Sequence, residues 1–420
     1  MIEGGPYARV HGPELMSNSH YDVIVIGGGP AGSLTAYHLA CKGVRVAVLE
    51  AKTFPRIKAC GGGLQVRTVK SIPFDIAPVI HGTIRNVSLS FGLREIHRRS
   101  SSDPLVHMVL RAEFDEFLLE HAASAGASVY QGVTCSAVDV RNGGGISVET
   151  SAGRFSGRYL VGADGANSVV RHVLNERSSY YWQAAVYCEI PEGCMAQERL
   201  APDAILVDWG TLASGYAWAF PKRGSVNVGA GAPVTLGRHL RGYAGNFATA
   251  AGLIRPGALD RVHFAGHQLP TLTAHTRLAA GNTVLVGDAA GCVEPFTGDG
   301  ISFACHSASI AAQCIWQALS GSRADLRGYA KQMRLEFGQE LQWSRRLLSF
   351  SVTFPKLVFR LFKHNDRVWQ TFCNVLRGDE SFRTLMHDVL GPLRFATRAV
   401  DAVSRRCERW AVAGAAKAGY

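Results

Sequence analysis

A thiol stands at the head of three glycines in Cys60-Gly61-Gly62-Gly63. Stability does not explain such a run, because glycine loses more backbone entropy on folding than any substituted residue. It suits close approach of the backbone to something flat. A free thiol, with a pKa of about 8.5, is mostly protonated at neutral pH and can donate a proton. The competing reading makes Cys60 a small packing residue that shapes the loop. Three acids, Glu50, Asp164 and Asp288, each stand at or just beyond the end of an apolar run, where ligands bind at the C-terminal edge of parallel strands. Tyr216, Trp218 and Phe220 alternate with alanines, so a strand would put three aromatics on one face, as a sheet core or as a wall for an apolar substrate. No metal site is expected, since the ten cysteines form no CxxC pair and the fifteen histidines no HExxH motif.

The elements around these residues define the ligand. Residues 21–26 read as a buried parallel strand running into Gly27-Gly28-Gly29-Pro30-Ala31-Gly32, a GxGxxG turn. Gly27 permits the tight turn, Gly29 lets the backbone approach a pyrophosphate, and Gly32 lets a helix over about 31–42 pack on the strand. A second strand over 44–49 ends in Glu50, placed for a ribose diol. This unit alone fits FAD or a nicotinamide dinucleotide. Two later segments favour FAD, which is long enough to need a second anchor. Residues 160–168 end a strand in Asp164-Gly165, with Arg171 following, and residues 283–291 end one in Gly287-Asp288. Asp288 would accept hydrogen bonds from ribityl hydroxyls; a helix cap is its alternative. Gly298-Asp299-Gly300 opens a helix over about 301–319, and its first amides, from Ile301, would face the flavin's pyrimidine edge.

The order GxGxxG, Asp-Gly, Gly-Asp resembles the p-hydroxybenzoate hydroxylase-type flavoproteins over most of residues 21–330. That resemblance implies that Arg111, which opens Arg111-Ala112-Glu113-Phe114-Asp115, helps hold the cofactor; a surface arginine at a helix start is the alternative. Two further stretches resemble the geranylgeranyl reductase family: a PxxKxCGGG segment (Pro55, Lys58, Cys60 to Gly63) and a YxWxFPK segment (Tyr216, Trp218, Phe220, Pro221, Lys222). The segment 287–300 also fits, although many relatives carry Glu where this chain has Asp299. The resemblance implies a reductase that saturates double bonds in polyprenyl chains on lipids, quinones or chlorophyll precursors. It assigns Cys60, Gly61, Gly62, Tyr216 and Trp218 to catalysis, Cys60 and Gly61 also to the flavin, and Tyr216, Trp218, Phe220 and Pro295 to the substrate. No second GxGxxG follows a strand, so NAD(P)H would dock transiently, and a reduced protein or quinol donor is equally open.

The expected fold class is α/β: a Rossmann-like FAD-binding domain (21–75, 105–175 and 276–330) interleaved with an antiparallel-sheet substrate domain (76–104 and 176–275). A C-terminal helical region (331–420) follows, and residues 1–20 read as a flexible extension without the basic start and apolar run of a signal peptide. With 420 residues, 47% hydrophobic and 18% charged, the chain buries a large core and contains no apolar stretch long enough to span a bilayer. Scattered cysteines fit a reduced, cytoplasmic protein. Of the net charge of +11, +8 lies in residues 341–420, with 14 Lys plus Arg against 6 Asp plus Glu. Between 345 and 372, Phe350, Phe354, Phe359, Phe362 and Trp369 mix with Arg346, Lys356, Arg360, Lys363 and Arg367, and Pro355 divides the run into two helices. This pattern suits a lid, or a lid that also touches the inner face of an anionic membrane. Cations beside buried apolar positions do not form a nucleic-acid motif.

Three rival functions share parts of this pattern. An aromatic monooxygenase has the same cofactor motifs, but the Cys60 loop and the 216–222 strand argue against it, as does the lack of an aromatic-acid clamp. An electron-transfer dehydrogenase acting on quinones would carry clustered cysteines for an iron-sulfur centre. A non-catalytic carrier of flavin or prenyl lipid would have no need of Asp288 and Cys60 together.

Overall fold

The computed structural model describes residues 10–11, 19–140, 145–174, 180–196, 200–209, 212, 215–321 and 326–390. Two β-branched runs set its centre. Val23 to Ile26 and Val46 to Leu49 are almost wholly removed from water, each side chain contributing about 1.5–3 kcal/mol. They pair in parallel, Val25 opposite Val48 and Ile26 opposite Leu49. The resulting nine-stranded sheet runs Val10–His11, Ser128–Gln131, Val46–Glu50, Ser19–Ile26, Gly153–Gly162, Ile146–Thr150, Cys135–Val140. Thr283–Leu285 adds in parallel to the last residues of Gly153–Gly162, and Ala279–Ala280 pairs antiparallel to it as the ninth strand. The helices Pro30–Ala40 and Ile301–Leu319 cover one face and pack on each other. Proline at the first helical position suits its missing N–H and fixes where the glycine-rich turn ends.

Local boundaries depart from the sequence reading in small ways. The first strand starts at Ser19, within the stretch read as a flexible extension, and Val10–His11 lies beside Ser128–Gln131 as an edge strand. The first helix stops at Ala40, and the next strand begins at Val46. Residues 82–91, which alternate in polarity along one run, form two strands in different sheets, Gly82–Ile84 and Asn86–Phe91. The break falls at Arg85, where the amides of Arg85 and Asn86 both donate to the Asp203 carbonyl and redirect the chain.

The second large sheet runs Ala265–Leu272, Tyr180–Pro191, Ser225–Pro233, Tyr216–Lys222, Ala204–Trp209, Asn86–Phe91, Ile96–Ser100. Pairing is antiparallel except between Ala204–Trp209 and Asn86–Phe91. One face carries Ala217, Ala219, Val226 and Val228 against the helix Leu240–Ala250. On the opposite face, register aligns His267, Ala185, Gly231 and Tyr216 in one row, Tyr187, Gly229 and Trp218 in the next, and Glu189, Asn227 and Phe220 in a third. The tight turn between Lys222 and Ser225 uses Gly224 at φ +76°.

The C-terminal helices Gln339–Thr353, Pro355–His364, Asp366–Arg377 and Phe382–Leu390 bury Leu347, Phe350, Phe359, Phe362 and Trp369 against Val87, Leu89 and Ile205 of this sheet. Pro355 does divide the run, and it occupies the first turn of its helix. Among the described residues no helix is long and apolar enough to cross a membrane. Residues 391–420 of the expected helical region lie outside those described.

Candidate active site

The dinucleotide turn is closed by contacts that no side chain could share. Gly27 sits at φ +101°, and a Cβ there would meet the Ala163 carbonyl oxygen at 2.4 Å. A Cβ on Gly32 would stand 1.9 Å from the Gly27 oxygen. The turn is tied to the second strand by Glu50, which accepts from the amides of Gly28 and Lys52, both at 2.8 Å. Arg56 reaches across it: Nη2 lies 3.2 Å from Asp115 and 3.4 Å from where a Gly29 Cβ would be. Its Nη1 is buried without a hydrogen-bond partner among the described residues. Asp115, fully buried, also holds Arg111 in a two-point pair at 2.7 and 2.8 Å. An unpaired buried donor is costly, and a pyrophosphate over Gly29 would satisfy it.

Arg171 joins the two later motifs. Its guanidinium donates to the carbonyls of Ala166, Asp288 and Ala289 at 3.0 to 3.2 Å and lies 4.3 Å from the Tyr180 ring centre. The Asp164 carboxylate is engaged locally, accepting from the Ser168 hydroxyl and the amides of Val169 and Val170, and burial raises its pKa. Asp288 instead keeps a partly exposed carboxylate, 21% of its side-chain surface. It pairs with His267 Nε2 at 2.9 Å, and Lys58 Nζ lies 3.4 Å from the same nitrogen. Burial alone would raise the Asp288 pKa, but the His267 bond, with Lys58 and Arg111 close by, holds it at about 2. Burial in turn lowers the Lys58 pKa, against the attraction of Asp288. A Cβ on Gly300 would lie 3.4 Å from Asp288 Oδ1, so this carboxylate stands beside the start of the Ile301–Leu319 helix.

The glycine loop lies flat against the aromatic strand. A Cβ on Gly61 would meet Phe220 at 2.9 Å and the Trp218 Nε1 at 3.3 Å, and one on Gly62 would meet Lys222 Nζ at 2.9 Å. Tyr216, Trp218 and Phe220 do share one face, with ring centres 5.8 and 6.0 Å apart in succession. Gly229 beside them leaves the space the indole fills, since a Cβ there would be 2.2 Å from Trp218 Cζ2. The Cys60 Sγ accepts from the Gly62 amide at 3.3 Å. Burial would lower the Arg111 pKa, but Asp115 and the neighbouring Cys60 thiol leave it raised overall. The cation beside the thiol is thus Arg111, whereas Lys58 reaches His267.

The loop 294–300 closes the site from the C-terminal side. Buried Glu294 accepts from the amides of Phe296 and Thr297 at 2.5 and 2.9 Å, and from the hydroxyls of Thr297 and Ser344. Pro295 is buried within this loop. Tyr216 donates to the Thr297 carbonyl at 2.7 Å, and a Cβ on Gly298 would lie 3.2 Å from the Tyr216 oxygen. Asp299 receives Arg67 at 3.0 Å and the Ser302 amide at 3.1 Å, so its carboxylate accepts at the start of the Ile301–Leu319 helix.

The site thus draws together Glu50, Cys60, Arg111, Asp288 and the three aromatics, while Asp164 spends its carboxylate on a local cap. Sequence reasoning gave no role to Arg56, Asp115, Glu189, Asn227 or His267. Arg56 was visible inside the glycine-loop motif, but the others reach the site by strand register or helix phase, which no local pattern reveals.

Glycine turn, ribose-side acid, unpaired Arg56 Nη1 and the Asp288 carboxylate beside the Ile301–Leu319 helix start fit FAD, and fold and site together define an FAD-binding oxidoreductase. The FAD binding domain family matches residues 20–181. The chain is 32% identical over 319 residues to a menaquinone reductase of Mycolicibacterium smegmatis, covering 70% of this chain and 76% of that one. It is 30% identical over 346 residues to a geranylgeranyl diphosphate reductase of Synechocystis, covering 75% and 81%. A crystal structure of a geranylgeranyl bacteriochlorophyll reductase-like protein of Thermoplasma acidophilum superposes with a TM-score of 0.73 at 21% identity, over 92% of this chain and all of that one. The chain belongs to the geranylgeranyl reductase family of flavoproteins.

Proposed function

We propose that this protein saturates carbon–carbon double bonds in a polyprenyl chain carried on a lipid, quinone or related isoprenoid. The observation that supports this reading best is the contact of Gly61 and Gly62 with Trp218, Phe220 and Lys222. A thiol-headed loop without side chains lies against an apolar aromatic wall, as a flat cofactor and a greasy chain together would require. Bound reduced FAD supplies the hydride.

Arg56 and Gly29 would receive the pyrophosphate, Glu50 the ribose and Asp288 the ribityl hydroxyls, with Arg111 and the first amides of the Ile301–Leu319 helix near the ring system. Tyr216, Trp218 and Phe220 would hold the alkene and exclude water, which matters because an unactivated alkene is a poor hydride acceptor. Cys60, held by the Gly62 amide, would give the proton to the second carbon. Electrons would come from NAD(P)H or from a reduced protein or quinol. The C-terminal helices would serve as a lid on the chain, with Lys356 and Arg360 against an anionic membrane.

The test is to reduce the FAD-loaded protein without oxygen, add prenyl compounds, and follow flavin reoxidation together with product mass. A gain of about two daltons per bond is expected. Reoxidation by oxygen alone, with about sixteen daltons gained by an aromatic, would replace this reading with a monooxygenase.

A further inference from the structure

Asn227 takes part in neither recognised motif, yet its amide touches both. Its Oδ1 accepts from the Trp218 indole at 2.8 Å, and its Nδ2 donates to the Cys60 carbonyl at 3.3 Å and to Glu189 Oε1 at 2.8 Å. The orientation is forced. An indole N–H only donates and a carboxylate only accepts, so Trp218 fixes the oxygen and Glu189 the nitrogen. Glu189 is itself held by Lys222 Nζ at 2.6 Å and the Ser225 hydroxyl at 3.2 Å. The Lys222 side chain is 1% exposed, so this ammonium is desolvated and depends on its partner, and it bears directly on Gly62. The amide is thus clamped from two sides, by Trp218 and Glu189, and its remaining hydrogen bond goes to the backbone of Cys60. Strand register makes the arrangement rigid, with Asn227 directly between Glu189 and Phe220.

We propose that Asn227 is a positioning residue that sets the Cys60 loop against Trp218, and that Glu189 and Lys222 lock its amide for that purpose. The part played by Cys60 in alkene reduction rests on the reading above. The holding of the loop does not. A misplacement of about 1 Å at a reacting centre can cost on the order of a hundredfold in rate, so a single amide joining proton donor and substrate wall would govern turnover without touching either reactant.

The experiment uses the full-length, FAD-loaded protein and three variants: Asn227→Asp, Glu189→Gln and the double variant. Alkylation of Cys60 by iodoacetamide, read by mass spectrometry of the peptide containing it, reports loop position independently of activity. FAD content and thermal midpoint report folding. In Asn227→Asp the donor to the Cys60 carbonyl is gone and a second carboxylate faces Glu189. Cys60 alkylation should quicken about tenfold, and kcat for alkene reduction should fall about tenfold or more with KM within about threefold. Glu189→Gln keeps an oxygen acceptor for the Asn227 amide but leaves the buried Lys222 ammonium without its counter-charge, so its thermal midpoint should fall while Cys60 alkylation quickens less than in Asn227→Asp. The double variant removes the charge repulsion but does not restore the donor, so Cys60 should remain exposed and turnover slow. Recovery of wild-type alkylation in the double variant, or no change in Asn227→Asp, would overturn the proposal. If the wild type reduces no prenyl compound while Asn227→Asp still unmasks Cys60, the positioning role stands and the prenyl reductase reading falls.

Discussion

Gly62 lies directly beneath the ammonium of Lys222: a Cβ built on it would stand 2.9 Å from Nζ and 2.3 Å from the Val109 carbonyl, at a backbone φ of +74°. Lysine can swing away, but the carbonyl belongs to a backbone paired with this loop through the Val109 amide and the Gly62 oxygen. Gly62→Ala should therefore both strain the turn and push the loop off the aromatic wall. Gly43 provides a control, since it has φ +75° with nothing within 4 Å of its Cβ position. Gly43→Ala should cost about 1 kcal/mol from backbone conformation alone. Gly62→Ala should cost more than about 2 kcal/mol and lose alkene reduction, measured by urea unfolding and by flavin reoxidation. Equal costs for the two would show that the Val109 contact relaxes freely.

Arg171→Lys should be severe although it keeps the charge. The guanidinium serves three carbonyls on two strands' ends while stacking on Tyr180, and an ammonium cannot reproduce that planar fork. Loss of about 3 kcal/mol or more is expected from the carbonyls left unpaired and the cation left buried. FAD content should fall as well, because Arg171 fixes the backbone of Asp288. A variant with wild-type unfolding midpoint and full FAD loading would reduce Arg171 to a surface-like role.

Acid stability of the FAD-free protein should carry the mark of Asp288. Its pKa is about 2 in the folded chain against about 3.9 in an unfolded one. Because the folded value is the lower, the contribution is fully present above about pH 4 and is lost as pH falls toward about 2; it is on the order of 2 kcal/mol. Asp288→Asn should flatten the fall in urea midpoint over that window and weaken FAD retention at neutral pH. Parallel curves for the two proteins across the window would show that the His267 pair contributes nothing.

The parts of this site legible in the sequence were those written in neighbouring residues. Glycine spacing after a β-branched run gave the dinucleotide turn, and the alternation of Tyr216, Trp218 and Phe220 gave the wall, because both depend on periods of a few residues. The helix Ile301–Leu319 followed from an apolar run opened by Gly298-Asp299-Gly300. The local bonds of Asp164 are not legible for a physical reason: an acid after a strand serves equally at a ligand or as a cap for the helix that follows, and here it accepts from the amides of Val169 and Val170. His267, Glu189 and Asn227 were invisible because only the registers of three strands in the second sheet put them on the Cys60 side.

Among the cations of the C-terminal helices, Lys363 pairs with Glu95 and is 17% exposed, so reversing it would break an ion pair within the fold. The Pro355–His364 helix instead buries Val358, Phe359 and Phe362 and leaves Lys356 and Arg360 in solvent, beside an exposed Phe354. Each basic residue near an anionic bilayer surface contributes about 1 kcal/mol, and reversing a charge replaces that attraction with repulsion. The double variant Lys356→Glu, Arg360→Glu should therefore bind vesicles rich in anionic lipid more than about tenfold more weakly, with no change on neutral vesicles and an unchanged thermal midpoint. Added salt at about 0.5 M should erase the difference, since screening acts within a Debye length of a few ångströms. Equal vesicle binding by wild type and variant at low salt would leave these helices as a lid alone, because no other role for two exposed cations beside Phe354 would then require a membrane.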